Sequence, residues 1–134
     1  MAKGAQMAIV DHKHATEIPW RPGYRRFTLA GREHGIACSA SYSVIEPGAG
    51  APTHFHSGVD EVIVVLDGAL DMWIGDEQRR VEADHTVSIP AGVPHGFVAV
   101  GDAPARIYAF PPQSGEAAAT TYLEGGPPLS AARR

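Results

Sequence analysis

Glycine and proline interrupt this chain throughout its length. The 134 residues include 15 glycines and 11 prolines, and no stretch between two of them exceeds 14 residues. Because both residue types destabilise helix interiors, this distribution excludes a helical bundle. Short segments between frequent turns are typical of β-sandwiches and β-barrels. The pattern therefore predicts an all-β domain built from antiparallel strands.

Segments rich in strand-forming residues lie between positions 24 and 110. We predict strands over residues 25–30, 36–45, 53–55, 61–66, 70–74, 78–81, 86–89, 95–100 and 106–110. The flanking regions read as arms or loops, although the tail could form a short helix over residues 116–123. The predicted organisation is an N-terminal arm (1–23), a six- to eight-stranded antiparallel β-barrel domain (24–112) and a C-terminal tail (113–134).

Composition and charge limit the classes of partner. With 11 Lys and Arg against 15 Asp and Glu, the net charge of -4 argues against binding to nucleic acid or to an anionic membrane. The sequence has neither an apolar run of the ~20 residues that span a membrane nor an N-terminal apolar block typical of a secretory signal. The single cysteine, Cys38, excludes an internal disulfide. We therefore expect a cytoplasmic protein. Arg25 or Arg26 could hold a substrate carboxylate if the N-terminal segment covers a pocket.

Four candidate metal ligands occupy positions that strand geometry could bring together. His54 and His56 are two residues apart, so in a strand both side chains point to one side, with Cα atoms about 6.6 Å apart. After a reversal through residues 57–59, we expect Glu61 in the neighbouring antiparallel strand, close to the histidines. His95 begins a later strand, which barrel closure would bring across from the first two.

The ligand types indicate the kind of metal. Three neutral imidazoles and one carboxylate suit one divalent transition metal per chain (Fe, Mn, Ni, Co or Zn) better than Ca²⁺ or Mg²⁺. Four protein ligands leave two positions of an octahedral ion open for substrate, water or oxygen. The sequence contains a second His-x-His, formed by His12 and His14, but no carboxylate follows it at matching spacing. We interpret that pair as surface histidines.

The first ligand segment resembles the first motif of the cupin superfamily. In that motif a glycine is followed by five residues, His-x-His, four residues, a glutamate, six residues and a glycine. The matching positions are Gly48, His54, His56, Glu61 and Gly68.

Residues 84–99 resemble the second cupin motif, in which Pro-x-Gly precedes a histidine. Pro90, Gly92 and His95 match, whereas Asp84 replaces a glycine and Ala99 replaces an asparagine. Asp tolerates left-handed turn geometry, so the hairpin should survive the first departure. The resemblance covers about residues 36–110 and implies a small single-domain cupin of jelly-roll type that binds a metal through all four candidate ligands.

Strand phase predicts a largely apolar pocket around the metal. Side chains two and four positions after Glu61, and two positions after His95, share the phase of those ligands, and aromatic residues of other strands could line the mouth. The predicted substrate-pocket residues are Ile63, Val65, Phe97, Tyr42 and Tyr108.

The resemblance implies several chemistries on one scaffold. We expect a metal-dependent dioxygenase acting on a small enolisable ketone, diketone or phenolic substrate, with Glu61 as the catalytic residue that takes a substrate proton. The alternatives are a non-oxidative isomerase, lyase or cyclase, in which the ion acts as a Lewis acid, and a binding protein without turnover.

Small cupins usually associate, so we also expect a homodimer. Trp20 and Phe27 make the N-terminal segment apolar enough to cover the exposed sheet edge of a partner.

Overall fold

The computed structural model describes residues 7–111, 120–126 and 128. Within these residues the chain forms two 3-10 turns, His12–His14 and Arg32–His34, and eleven strands. The strands are β1 (Thr16–Arg21), β2 (Tyr24–Ala30), β3 (Ala40–Ile45), β4 (Gly50–His56), β5 (Glu61–Asp67), β6 (Ala69–Ile74), β7 (Glu77–Glu82), β8 (His85–Ile89), β9 (His95–Val100), β10 (Ala105–Phe110) and β11 (Thr120–Tyr122). No helix of this described part has the length and apolar character needed to cross a membrane.

The strands form two facing antiparallel sheets. One has six strands in the order β1-β2-β3-β10-β5-β8, and the other has five in the order β11-β4-β9-β6-β7. The all-β jelly-roll prediction is confirmed, but six to eight strands was too few for the described residues. The sheets also do not close into one continuous barrel, because neither pair of facing outer strands is hydrogen-bonded. A cavity of about 460 Å³ lies along the unpaired edges of β7 and β8.

Alternating burial along the strands explains the core. In β5, Ile63 and Val65 are almost completely buried, whereas the intervening residues are only partly so. Ile107 on the neighbouring strand β10 and Leu70 on β6 of the facing sheet are buried in the same core. Fully burying one such side chain stabilises the fold by about 1.5–3 kcal/mol. The core therefore fills the space between the sheets and leaves one end of that space to polar side chains.

Both flanking segments contribute strands that the sequence analysis did not predict. β1 lies within the predicted arm and pairs with β2, whereas β11 pairs with β4. The helix proposed for residues 116–123 is wrong over Thr120–Tyr122, because these residues complete the edge of the five-stranded sheet. The remaining part of that proposal, residues 116–119, lies outside the described residues. Residues 36–39, predicted as the start of a strand, precede β3 without forming one.

Candidate metal centre

The His-x-His pair lies at the end of β4 with both side chains directed between the sheets. His54 and His56 are each 8% exposed, and their ring centroids are 5.0 Å apart. Strand alternation places them on one face, as the spacing predicted. The intervening Phe55 lies on the other face of the strand.

His95 lies beside these histidines in the same sheet. It is the first residue of β9, which pairs with β4, and its Cα is the direct partner of the His54 Cα. The two rings are only 4.3 Å apart between centroids, and His95 is 1% exposed. The expectation that His95 faces the pair from across a closed barrel is therefore wrong. Hydrogen bonding between adjacent strands brings it into place.

Glu61 approaches the histidines from the opposite sheet. After β4 the chain turns through Gly58, whose φ of 75° suits glycine, and enters β5 of the six-stranded sheet. Glu61 Oε1 lies 3.1 Å from His56 Nε2 and 3.4 Å from His95 Nε2. The expectation of a strand adjacent to the histidines is wrong, because the loop changes sheets. The carboxylate consequently faces the imidazoles across the interior.

Two hydrogen bonds tie together the loops that carry these ligands. The Asp60 carboxylate accepts a hydrogen bond from the backbone N–H of Ala91 at 2.8 Å, and the Gly92 N–H donates to the carbonyl oxygen of His56 at 2.7 Å. The turn before His95 is thus held against the ends of both ligand-bearing segments, which fixes their relative positions.

Each imidazole is oriented through its Nδ1 atom. His54 Nδ1 lies 2.7 Å from the Pro52 carbonyl oxygen, and His95 Nδ1 lies 2.9 Å from the Val93 carbonyl oxygen. A carbonyl can only accept, so in both neutral rings Nδ1 carries the proton and Nε2 presents a lone pair. His56 Nδ1 instead lies 2.7 Å from the hydroxyl oxygen of Thr120. Such contacts fix ring orientation in metal sites.

The remaining ligand atoms converge on one small space. One ligand atom from each of His54, His56, Glu61 and His95 lies within 4.8 Å of all the others. His95 Nε2 is buried and has no hydrogen-bond partner, although it faces the Glu61 carboxylate. A lone pair directed at an anion is unfavourable unless a cation lies between them. These residues therefore fit a divalent transition metal, with three Nε2 atoms and one carboxylate as ligands.

Burial and hydrogen bonding hold these ligands in metal-binding protonation states. Burial is the main factor that lowers the pKa of His54, to about 4, so its imidazole is neutral at pH 7. Burial alone would raise the pKa of Glu61, but the neighbouring imidazoles of His56 and His95 outweigh it and lower the pKa below its usual value. A neutral imidazole and an ionised carboxylate are the forms that bind metals without first losing a proton.

Three of the predicted pocket residues lie on the inner face with the ligands. Ile63 and Val65 follow Glu61 on β5, and Phe97 follows His95 on β9; they are 1%, 0% and 5% exposed. They make the wall of the site apolar on both sheets.

The other two predicted pocket residues, Tyr42 and Tyr108, do not line this space. They are direct partners on β3 and β10, and their rings lie 6.0 Å apart between centroids on the outer face of the six-stranded sheet. Their neighbours Ser41 and Ile107 are the inward-facing residues. The assignment of both tyrosines to the pocket mouth is therefore wrong, because their strand phase places them on the other side of the sheet.

Two residues of β11 that contact the ligands were not predicted from the sequence. Thr120 contacts His56, and the ring of Tyr122 stacks on His54 with centroids 5.3 Å apart. These two residues lie more than sixty positions after the histidines in a segment without strand signals. Only the pairing of β11 with β4 brings them to the site.

Comparison with known proteins agrees with this geometry. The model of the cupin domain family matches residues 41–111, a range that contains all four ligands. A protein of Streptomyces cyaneus described as polyketide synthase CurC is 31% identical over 65 residues, which are 48% of this chain and 42% of that protein. The chain therefore matches less than half the length of this curated relative.

Two solved structures show the same fold. KdgF from Halomonas sp. has a TM-score of 0.67 at 24% identity, covering 81% of this chain and 94% of that one. The polyketide cyclase RemF from Streptomyces resistomycificus has a TM-score of 0.71 at 20% identity, covering 90% of this chain and 88% of that one. Since the family model spans more than half of the chain, including its ligand-bearing strands, this protein belongs to the cupin family.

Proposed function

We propose that this cupin is a metal-dependent enzyme that enolises a small β-dicarbonyl substrate and promotes its non-oxidative ring closure or isomerisation. The observation that carries the proposal is the convergence of three imidazole Nε2 atoms and one carboxylate in a buried space with apolar walls. Such a site can hold the two oxygens of an enolate while it limits access of bulk water.

A divalent ion bound by His54, His56, Glu61 and His95 would act as a Lewis acid that polarises a substrate carbonyl and makes the adjacent C–H acidic. Its identity among Fe, Mn, Ni, Co and Zn depends largely on availability.

Glu61 is the group that takes the substrate proton in this proposal. Among the described residues it is the one buried carboxylate. Its Oε1 atom faces His56 and His95, which leaves Oε2 to accept a proton from a carbon next to a carbonyl group. Its lowered pKa makes it a weak base, so proton removal would depend on the bound ion to make that C–H more acidic.

The relatives support the non-oxidative form of this chemistry. CurC is described as a polyketide synthase and RemF as a polyketide cyclase. Polyketide chains carry carbonyl groups on alternate carbons, so a site that stabilises an enolate would suit ring closure between two parts of such a chain.

A dioxygenase is the second candidate. The apolar walls formed by Ile63, Val65 and Phe97 and the two coordination positions that four protein ligands leave open would also suit oxygenation of the same enolisable or phenolic substrates. A binding cupin without turnover is the third.

Conversion of diacetylacetone to orcinol distinguishes these candidates. In this reaction one terminal methyl carbon of the linear triketone bonds to the carbonyl carbon farthest from it and one water is lost, so no oxidant is required. We expect orcinol to form under strictly anaerobic conditions, with the zinc-loaded protein as effective as the iron-loaded one. Glu61→Gln should reduce the rate by about 100-fold, whereas the exposed control Glu82→Gln should leave it unchanged.

The other outcomes are equally specific. Oxygen consumption that requires iron, with no anaerobic product, would establish the dioxygenase. Saturable binding of the triketone without product under either atmosphere would establish the binding protein.

A further inference from the structure

Two adjacent arginines on β2 point to opposite faces of the six-stranded sheet. Arg25 lies on the outer face and donates two hydrogen bonds to the exposed carboxylate of Glu17, at 2.8 and 3.0 Å. Arg26 has the opposite phase, and its Cα partner is Ser43, which is 1% exposed between the sheets. One arginine thus has an acidic partner at the surface, and the other is directed toward the interior.

Arg26 lies against an aromatic ring without an acidic partner. Its guanidinium carbon is 4.1 Å from the centroid of the Trp20 ring. No hydrogen bond or ion pair joins it to another described residue, yet burial is the main factor that lowers its pKa. The charges of Glu61 and Tyr122 act on the same group, which places it near the candidate metal centre. Arg26 is partly buried, and a partly buried arginine without an acidic partner can bind an anion with little competition from its own chain.

Two further polar groups nearby lack hydrogen-bond partners. Ser41, on the inner face of β3 beside β2, is 2% exposed, and neither its hydroxyl nor Arg21 Nε has a partner within the described chain. The Arg21 guanidinium lies 5.4 Å from the centroid of the Tyr122 ring, which in turn stacks on His54. Unpaired donors therefore lie on β1 and β3, on either side of Arg26 on β2.

We propose that Arg26, with the Ser41 hydroxyl and Arg21, binds a carboxylate group of the substrate, so that the preferred substrates are small β-keto acids. This inference rests on the proposed function, because it places the enolisable carbonyl of the same molecule at the four metal ligands. A carboxylate is the matching anion because the Trp20 ring contacts the guanidinium carbon of Arg26, and no described carboxylate binds its N–H groups. Planar carboxylates bind such N–H groups with two parallel hydrogen bonds.

The test compares two probes that differ in charge and by one methyl group. Acetoacetate carries a carboxylate, whereas methyl acetoacetate is its neutral ester, and both have the same enolisable carbon. Binding of each to the zinc-loaded protein is measured by isothermal titration calorimetry. We expect the wild-type protein to bind acetoacetate at least about tenfold more tightly than the ester.

Arg26→Met removes the charge and keeps an apolar stem against Trp20. This variant should lose the preference for acetoacetate while its affinity for the ester stays within about twofold of the wild-type value. The matched control Arg25→Met also removes one positive charge, but from the outer face, and should keep the preference. Because the substitution breaks no ion pair of Arg26, Arg26→Met should also be about as resistant to thermal unfolding as the wild-type protein.

The outcomes separate this inference from the proposed function. An unchanged preference in Arg26→Met, no preference in the wild-type protein, or failure of Arg26→Met to fold would each overturn the carboxylate site, even if diacetylacetone is converted. Conversely, loss of the preference in Arg26→Met together with no conversion of diacetylacetone would support the carboxylate site and contradict the proposed cyclisation.

Discussion

Tyr24 shows how one buried polar side chain makes the stability of this fold depend on pH. It is 7% exposed and packs between Trp20 and Phe97, with ring centroids 6.4 and 6.0 Å away. Burial is the main factor that raises its pKa to about 12. The neutral phenol is thus favoured in the folded state, whereas in the unfolded chain the group ionises near pH 10.

The raised pKa of Tyr24 makes the folded state less stable at alkaline pH. Below pH 10 the contribution of Tyr24 is complete, and it is lost as the pH rises from about 10 to about 12, to a limit of about 3 kcal/mol. We expect urea unfolding of the wild-type protein to lose about 1 kcal/mol between pH 9 and pH 11 from this group. Tyr24→Phe should lose less over the same range, whereas the outer-face control Tyr108→Phe should behave like the wild type. Equal losses in all three proteins would show that Tyr24 does not cause the effect.

At the level of strands, the short β11 orients two histidines of the metal centre. It has three residues, and their register places Thr120 opposite His56 and Tyr122 opposite His54. The strand contributes no ligand. It contacts two of the imidazoles, through the hydrogen bond between Thr120 and His56 and the ring contact between Tyr122 and His54. Mutating a residue that contacts a metal ligand typically lowers metal affinity by 10- to 100-fold.

Thr120→Val therefore tests the role of β11. The substitution keeps a β-branched shape but removes the hydroxyl at His56 Nδ1, so zinc affinity should fall by about tenfold or more in competition with a chelator. Thr121→Val on the adjacent, exposed position should have no effect, and Thr120→Ser should restore most of the affinity. Wild-type affinity in Thr120→Val would mean that strand pairing alone orients His56.

At the scale of the whole molecule, the homodimer stays a prediction, and the structure changes its expected surface. Trp20 packs against the core of its own chain and is not available to cover a partner. Phe27 instead joins Tyr42 and Tyr108 in a row of rings on the outer face of the six-stranded sheet, where Phe110 is 43% exposed. This aromatic outer face, where Arg25 and Arg106 contact two of the rings, is the surface that we expect a second copy to cover.

Light scattering tests the homodimer. The wild-type protein should have about twice the chain mass of 14.2 kDa at micromolar concentration, and Phe110→Arg should shift it toward the monomer without loss of strand content, because the side chain is exposed. A wild-type monomer would falsify the prediction. A Phe110→Arg protein that remains dimeric would place the interface elsewhere.

Much of the fold could be predicted from residue order because the determinants are local. Gly and Pro spacing predicted the turns, and period-2 alternation predicted most strands and the inward direction of Ile63, Val65 and Phe97. Asp84 was expected to accept a left-handed turn, and its φ of 67° agrees. The spacing of His54, His56, Glu61 and His95 was sufficient to select the four residues that the structure brings together.

Only the tertiary structure decided how those residues meet. Sequence spacing does not show whether a loop returns to the same sheet or crosses to the facing one, and here β4 to β5 crosses whereas β9 pairs beside β4. For the same reason Tyr42 and Tyr108 were assigned to the wrong face, since their phase depends on pairing between strands far apart in the chain. The positions of Thr120 and Arg26 relative to the metal ligands also depend on such pairings. Hydrogen bonds between distant strands select this arrangement, and the choice of partner strand has no local signal in the sequence.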